Sequence, residues 1–261
     1  MSMDRQALGH VVDYLDELLT VRETPDYSNA LNGLQLANQR GVTKLAAAVD
    51  FSSRTIDGAV DAGASLLLVH HGMFWGGLQP IRGASYARLK ALIDNDIAVY
   101  SAHLPLDRHP TYGNNALLAQ ELGLTPSGDF ATYKTIAIGV RGTSTLATSV
   151  LFDRARQFAQ THGGMARATP IAEGQTTQAW AICTGSGASS ETLREAHELR
   201  IDTLIVGEGP HHTAVDAAEL GITVIYAGHY ATETLGVRAL SAHVAERFGV
   251  PWTFIESPTG L

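Results

Sequence analysis

Leu8, Val11, Val12, Leu15, Leu18 and Leu19 recur at helical spacing near the amino terminus, with Asp4, Arg5, Asp13, Asp16 and Glu17 between them. That period predicts an amphipathic helix. Beyond it, short apolar runs alternate with helical patterns: KLAAAV at 44–49, a helix from about Ser53, SLLLV at 65–69, a helix near Tyr86 to Ile93, and IAVY at 97–100. Apolar runs this short, separated by helices, are strands buried on both faces, and their order implies a largely parallel sheet covered by helices. A second series follows: TQAWAIC at 177–183, a helix from Ser189, TLIV at 203–206, a helix from about Thr213, ITVIY at 222–226, a last helix and the strand WTFI at 252–255.

The two series are weakly repeated, since AGASLLLVHHG aligns with LRIDTLIVGEG and IAVYSAH with ITVIYAGH. The expected fold class is therefore α/β, with two related α/β halves, largely parallel sheets, and ligands at the carboxyl ends of strands. Residues 1–125 carry HHG and HLPLD, and residues 126–261 carry GEGPHH and HYATE. A length of 261 residues equally admits one compact unit. The segment 128–164 is expected to supply another strand and helix, and the glycines and prolines from Gly163 to Gly174 a hinge.

Composition removes several classes. With 45% hydrophobic and 17% charged residues the chain folds rather than staying disordered. A formal charge of −8 without any Lys/Arg stripe argues against nucleic acid as a partner. The first helix is not a signal peptide and no apolar run approaches the roughly 20 residues that cross a bilayer, so no membrane is expected. Cys183, the single cysteine, excludes an intrachain disulfide and a cysteine-rich metal cage, which fits a cytoplasmic protein.

Open α/β sheets bind ligands where strands end, and four strand ends here carry unusual polar clusters: HHGMFWGG, SAHLPLD, GEGPHH and AGHYATE. Imidazole and carboxylate without thiolate suit zinc, iron, manganese, nickel or cobalt in an open, reactive site. The expected ligands of two divalent ions per chain are His70, His71, Asp107, His229 and Glu233. Adjacent residues in extended chain point opposite ways, so His70 and His71 can serve two ions. His229 and Glu233 are four apart and share a helix face, which lets Glu233 bridge. Asp107 follows a loop that Pro105 is expected to hold extended. Two such ions with two carboxylates and neutral imidazoles sum to about +2, which draws an anionic small-molecule substrate, and the lowered pKa of their water makes hydrolysis the natural reaction.

Other residues carry weaker expectations. His103, aligned with His229, is expected to orient a ligand rather than be one. His211 and His212 either act on substrate as acid–base or binding groups or cap the following helix. Glu208 aligns with His71, at the ligand-binding edge. Phe74 and Trp75 are expected in the core or an interface rather than stacking on a ring. TGSGASSE from Thr184 lacks the lysine of a phosphate-binding loop. His10, His162, His197 and His243 lie in helical patterns and are read as structural.

NGLQ at 32–35, HHGMFW at 70–75, HLPLD at 103–107 with GNNALLA after it, and AGHYATE at 227–233 together resemble, over nearly the whole chain, the Nif-three-like dinuclear metal-centre family. That family is also called GTP cyclohydrolase I type 2, and the chain is similar to its compact form without an inserted domain. The resemblance implies a homohexamer, a ring of dimers or trimers with two-metal sites facing an inner cavity. By it, Glu233 bridges, His71 and Asp107 complete one site, and His70 and His229 the other. It implies metal-dependent hydrolysis of GTP or another phosphorylated nucleotide, and His211 and His212, read from their own place in GEGPHH where the chain departs from relatives, are the candidate catalytic groups. A noncatalytic ring for metal binding, metal delivery or regulation uses the same ligands and is the alternative.

Overall fold

The computed structural model describes residues 6–261. In chain order the first elements are α1 (Leu8–Leu18), β1 (Gly33–Leu36), β2 (Leu45–Asp50), α2 (Ser53–Asp61), β3 (Leu66–His71), α3 (Ala84–Asp94), β4 (Ala98–Ser101) and α4 (Leu104–Asp107). α1 buries Val11 and Leu15 as its period requires; Asp4 and Arg5, expected on its polar side, lie outside the described residues. The next elements are α5 (Asn114–Glu121), β5 (Gly128–Tyr133), β6 (Ile136–Ala147), α6 (Thr148–Thr161), β7 (Arg167–Ala168), β8 (Thr176–Cys183), α7 (Ser190–Glu198), β9 (Thr203–Val206), α8 (His211–Glu219) and β10 (Thr223–Tyr226). α9 (His229–Phe248) and β11 (Trp252–Phe254) close the chain.

These elements form two compact units, one running through Leu106 and including Gly236–Ser257, the other Asp107–Leu235 with Pro258–Leu261. The division thus falls at Asp107 rather than near residue 125. The reason is packing: α5 lies against β6 and β8, and β11 pairs in parallel with β2. The chain crosses inside α4, where LPLD is helical rather than extended. Pro105 sits in the first turn, where no intrahelical N–H is needed.

The first unit has the sheet order β1-β4-β3-β2-β11. All its pairings are parallel except the edge pair β1–β4. β3 is buried along its full length, and Ile56, Leu67, Val69, Leu92 and Val99 form part of the core on one face. The second unit, of order β5-β6-β8-β9-β10-β7, is parallel only at its centre, β8-β9-β10. Instead of one strand, residues 128–147 form the antiparallel hairpin β5–β6. The expected hinge holds β7, an edge strand on β10 continued by Thr169 N–H donating to Val224 O at 3.0 Å. Trp180 and Ile182 face one core and Ala181 and Cys183 the other, the two-sided burial expected of a central strand.

The repeat is structural as well as textual. β3–β4 and β9–β10 are parallel pairs. α2 and α7 both open on a capping box, Ser52 with Thr55 and Ser189 with Thr192. Among the described residues no helix is long and apolar enough to cross a membrane.

Candidate metal centre

His70 and His71 end β3, and His103 immediately precedes α4. Their ring centroids are 4.8 Å (His70–His71), 4.9 Å (His70–His103) and 5.7 Å (His71–His103) apart, and one ligand atom from each lies within 4.8 Å of the others. The pair therefore does not diverge as in continuous extended chain, because the strand ends there. Gly72 turns the backbone, and a Cβ on it would lie 2.4 Å from the Gln35 amide. Gln35 clamps this turn, accepting from Met73 N–H at 2.7 Å and donating to Ala30 O and Leu31 O at 3.1 and 2.9 Å. His103, expected to orient a ligand rather than be one, stands close enough to His70 and His71 to share a cation with them.

Each of these imidazoles is oriented by an oxygen. His70 Nδ1 donates to Ala102 O at 2.8 Å, His71 Nδ1 pairs with Asp50 Oδ1 at 2.9 Å, and His103 Nδ1 pairs with Asp26 at 2.9 and 3.1 Å. A carbonyl only accepts, so the proton of neutral His70 is on Nδ1 and the lone pair on Nε2; a carboxylate favours the same tautomer. Asn32 completes the arrangement, accepting from His103 N–H and donating to Asp26, both at 2.7 Å. Burial raises the Asp26 pKa, but hydrogen bonds and charge from His103, with help from Asn32 and the Tyr27 N–H, outweigh it and hold the carboxyl below its usual range. Trp75 packs on His71 and His103, centroids 4.8 and 4.5 Å away, and is 36% exposed. It belongs to the histidine cluster instead of a core.

In the second unit α9 begins at His229, so Glu233 lies one turn on, with its Oε2 3.1 Å from His229 Nε2. His229 Nδ1 meets Glu208 Oε1 at 2.8 Å, repeating the oxygen-held pattern. Burial lowers the His229 pKa, but Glu233 and then Glu208 more than compensate and push it up to about 9. Glu233 is 3% exposed. It has room because Gly185, at φ +62°, carries no Cβ, which would sit 2.2 Å from Glu233 Oε1. TGSG therefore makes space for a carboxylate. Gly185→Ala is expected to expel Glu233 from its place and lower divalent-metal affinity at least tenfold while circular dichroism stays that of wild type; unchanged metal content would remove this role.

Asp107 is buried and accepts from Asn114 Nδ2 at 2.8 Å. Asn115 donates to Asp107 O and Ile138 O at 3.3 and 2.7 Å and accepts from Thr184 N–H at 2.8 Å. The GNN motif thereby ties Asp107 to the end of β8. Burial first, then Asp107, Glu195 and Glu233, push the Cys183 thiol up to about 12.

Donors about 2.1 Å from one ion, at tetrahedral to octahedral angles, lie about 3.0–3.4 Å apart. The 3.1 Å between His229 Nε2 and Glu233 Oε2 fits that spacing, and the three-histidine group has the donor type and closeness of a transition-metal site. His211 and His212 are both exposed in the first turn of α8, whose N-cap is Pro210 without a side-chain cap bond. The capping role is thus excluded; His211 lines a cavity and His212 is not among its walls. Asp26, Asp50, Asn32 and Asn114 support the candidate residues in ways that sequence reasoning did not assign. Asn32 and Asn114 stood in the quoted motifs NGLQ and GNNALLA without a role, and Asp50 carried a signal as a strand-end carboxylate in register with His71.

Fold and donor groups together define a mixed α/β protein with clustered strand-end histidines and carboxylates able to hold metal. The chain belongs to the Duf34/NIF3 (NGG1p interacting factor 3) family, whose model matches residues 6–260. It is 40% identical over 257 residues to the GTP cyclohydrolase 1 type 2 homolog of Deinococcus radiodurans, covering 96% of this chain and 93% of that one. The homolog of the same name from Halobacterium salinarum is 44% identical over 240 residues, covering 90% and 93%. The crystal structure of TTHA1606 from Thermus thermophilus superposes with a TM-score of 0.84 at 37% identity, covering 98% of this chain and 100% of that one.

Proposed function

We propose that this protein is a metal-dependent hydrolase in which His70, His71, Asp107, His229 and Glu233 hold two divalent cations and act on a nucleotide or other phosphorylated small molecule. The observation that carries this reading is the repeated orientation of imidazoles, with Nδ1 of His70, His71, His103 and His229 each held by an oxygen. That arrangement presents Nε2 as the ligand atom and is the usual outer support of metal-binding histidines. Asp107 is the first residue of the second unit, and Glu233, in α9, lies two residues before that unit's long segment ends at Leu235.

Divalent cations there supply Lewis acidity and bring the pKa of the water they bind to about 7. The chain's own residues do the rest. Asp107 and Glu233 balance cationic charge, Asp50, Asp26 and Glu208 keep the imidazoles oriented, and Trp75 walls the histidine cluster. His211 lines a cavity, where an imidazole can pass a proton to or from a bound molecule, and His212 is its neighbour on the same helical turn. The relatives' name points to GTP as the substrate class. Exposed Leu78 (92%), Ile81 and Ile93 in the first unit support self-association, for which we propose the homohexamer. The buried thiol of Cys183 suits the reducing cytoplasm.

Elemental analysis of metal-repleted protein, with a hydrolysis screen over nucleoside triphosphates and phosphate esters, tests the proposal. About two metals per chain and turnover that chelation abolishes and metal restores are expected. Metal without turnover of any substrate points to the noncatalytic ring, and no metal above background overturns the reading altogether.

A further inference from the structure

A cavity of about 430 Å³ lies in the second unit at the carboxyl ends of β9 and β10, the edge where open α/β sheets take ligands. Its walls include Glu208 and Pro210 from the turn after β9, His211 on α8, Tyr226 at the end of β10, and Arg167 on β7, directly paired with Tyr226. That volume is at the lower end of small-molecule pockets, about 300–1,000 Å³.

Of the charged groups in the walls, the main-chain carboxylate of Leu261 accepts from Tyr230 N–H at 3.1 Å, and the two charged side chains differ in their engagement. Glu208 is committed, accepting from His229 Nδ1 at 2.8 Å and from the Ser186 hydroxyl at 3.2 Å. Arg167 is exposed and paired with no carboxylate among the described residues. No side chain caps α8, so the N–H groups of its first turn add partial positive charge on the same side as His211. The cavity therefore offers a guanidinium, an imidazole and a helix dipole to an anion, an aromatic and aliphatic surface at Tyr226 and Pro210, and against these the carboxylates of Leu261 and of Glu208, which orients His229.

We infer that this cavity is the recognition subsite for the substrate, taking the phosphate group of a small phosphate ester on Arg167, with His211 as a second donor and the aromatic body of the ester along Tyr226. The inference rests on the proposed hydrolase reading and names the substrate class of that site. Arg167 and His211 bind, and Glu208 couples the subsite to His229 as a positioning residue. Arg167 suits this task because its planar fork meets two phosphate oxygens at once.

Phenyl phosphate, inorganic phosphate and neutral phenol, titrated calorimetrically into metal-loaded and metal-free full-length protein, provide the test. Wild type is expected to bind phenyl phosphate, Arg167→Ala to bind it at least tenfold more weakly with unchanged metal content, and Arg167→Lys to recover part of the loss. Phenol should be indifferent to all three. Equal binding by wild type and Arg167→Ala, or binding that requires metal and ignores Arg167, overturns the subsite, as does the absence of any phenyl phosphate binding to wild type. Arg167-dependent binding that persists in protein unable to take up metal sustains the subsite while rejecting the metal reading, so the two fail separately.

Discussion

Glu233→Gln is expected to lose metal almost completely while keeping its fold. Glutamine has the shape of glutamate, so it fits the space that Gly185 leaves, where a Cβ would come within 2.2 Å of the Glu233 carboxylate. What it lacks is the negative charge, in a place where only 3% of the residue is exposed. A buried site with fewer anionic donors no longer repays the dehydration of a divalent ion. Removing an outer partner of a ligand costs about 10–100-fold in metal affinity, and removal of a carboxylate that holds the ion directly should exceed that. Glu208→Gln supplies the comparison, because Glu208 reaches the centre only through His229 Nδ1. Its loss should fall within the range of about 10–100-fold. Competition titrations against a chelator, on both variants at matched circular dichroism, separate the two. Retention of wild-type affinity by Glu233→Gln would falsify the assignment of Glu233 as a ligand.

How far these positions were legible in the sequence follows from how local their causes are. His229 and Glu233 depend only on a helix beginning at His229, and α9 does begin there, so a spacing of four sufficed. Asp107 was legible as a carboxylate after a strand, but its backbone was misread because Pro105 was taken to extend the chain when it starts a helical turn. The nearness of His103 to His70 was not legible from spacing, since it depends on β3 and β4 pairing side by side, a contact across about thirty residues of sequence. Asp26 gave no signal at all: it lies in a loop, and only the fold brings it 2.9 Å from His103. The parallel strands were readable as apolar runs because both faces are buried. The hairpin β5–β6 was not, because β6 has mixed burial and its register shifts between Thr143 and Leu146.

Metal-free protein is expected to become less stable as pH rises, by about 3 kcal/mol between pH 6.5 and somewhat above pH 9. The cause is His229, whose pKa moves from the ordinary 6.5 to about 9 in the folded chain. Below 6.5 the folded and unfolded states both carry the proton and the full stabilisation is present. Between 6.5 and 9 the folded state holds a proton that the unfolded state has released, so each pH unit removes about 1.4 kcal/mol. Above 9 the contribution is gone. That proton lies where Glu233 Oε2 comes within 3.1 Å of Nε2, so a cation bound by both residues must displace it, and metal affinity should tighten over the same window in which the metal-free fold weakens. Denaturation midpoints in chelator and in saturating manganese or zinc, taken between about pH 6 and pH 9, test the argument. The chelated midpoint should fall and the metal-loaded one hold or rise, while Glu233→Gln flattens the chelated profile. A chelated midpoint that rises with pH, or a variant with the wild-type slope, would show that the proton between His229 and Glu233 is not what the metal replaces.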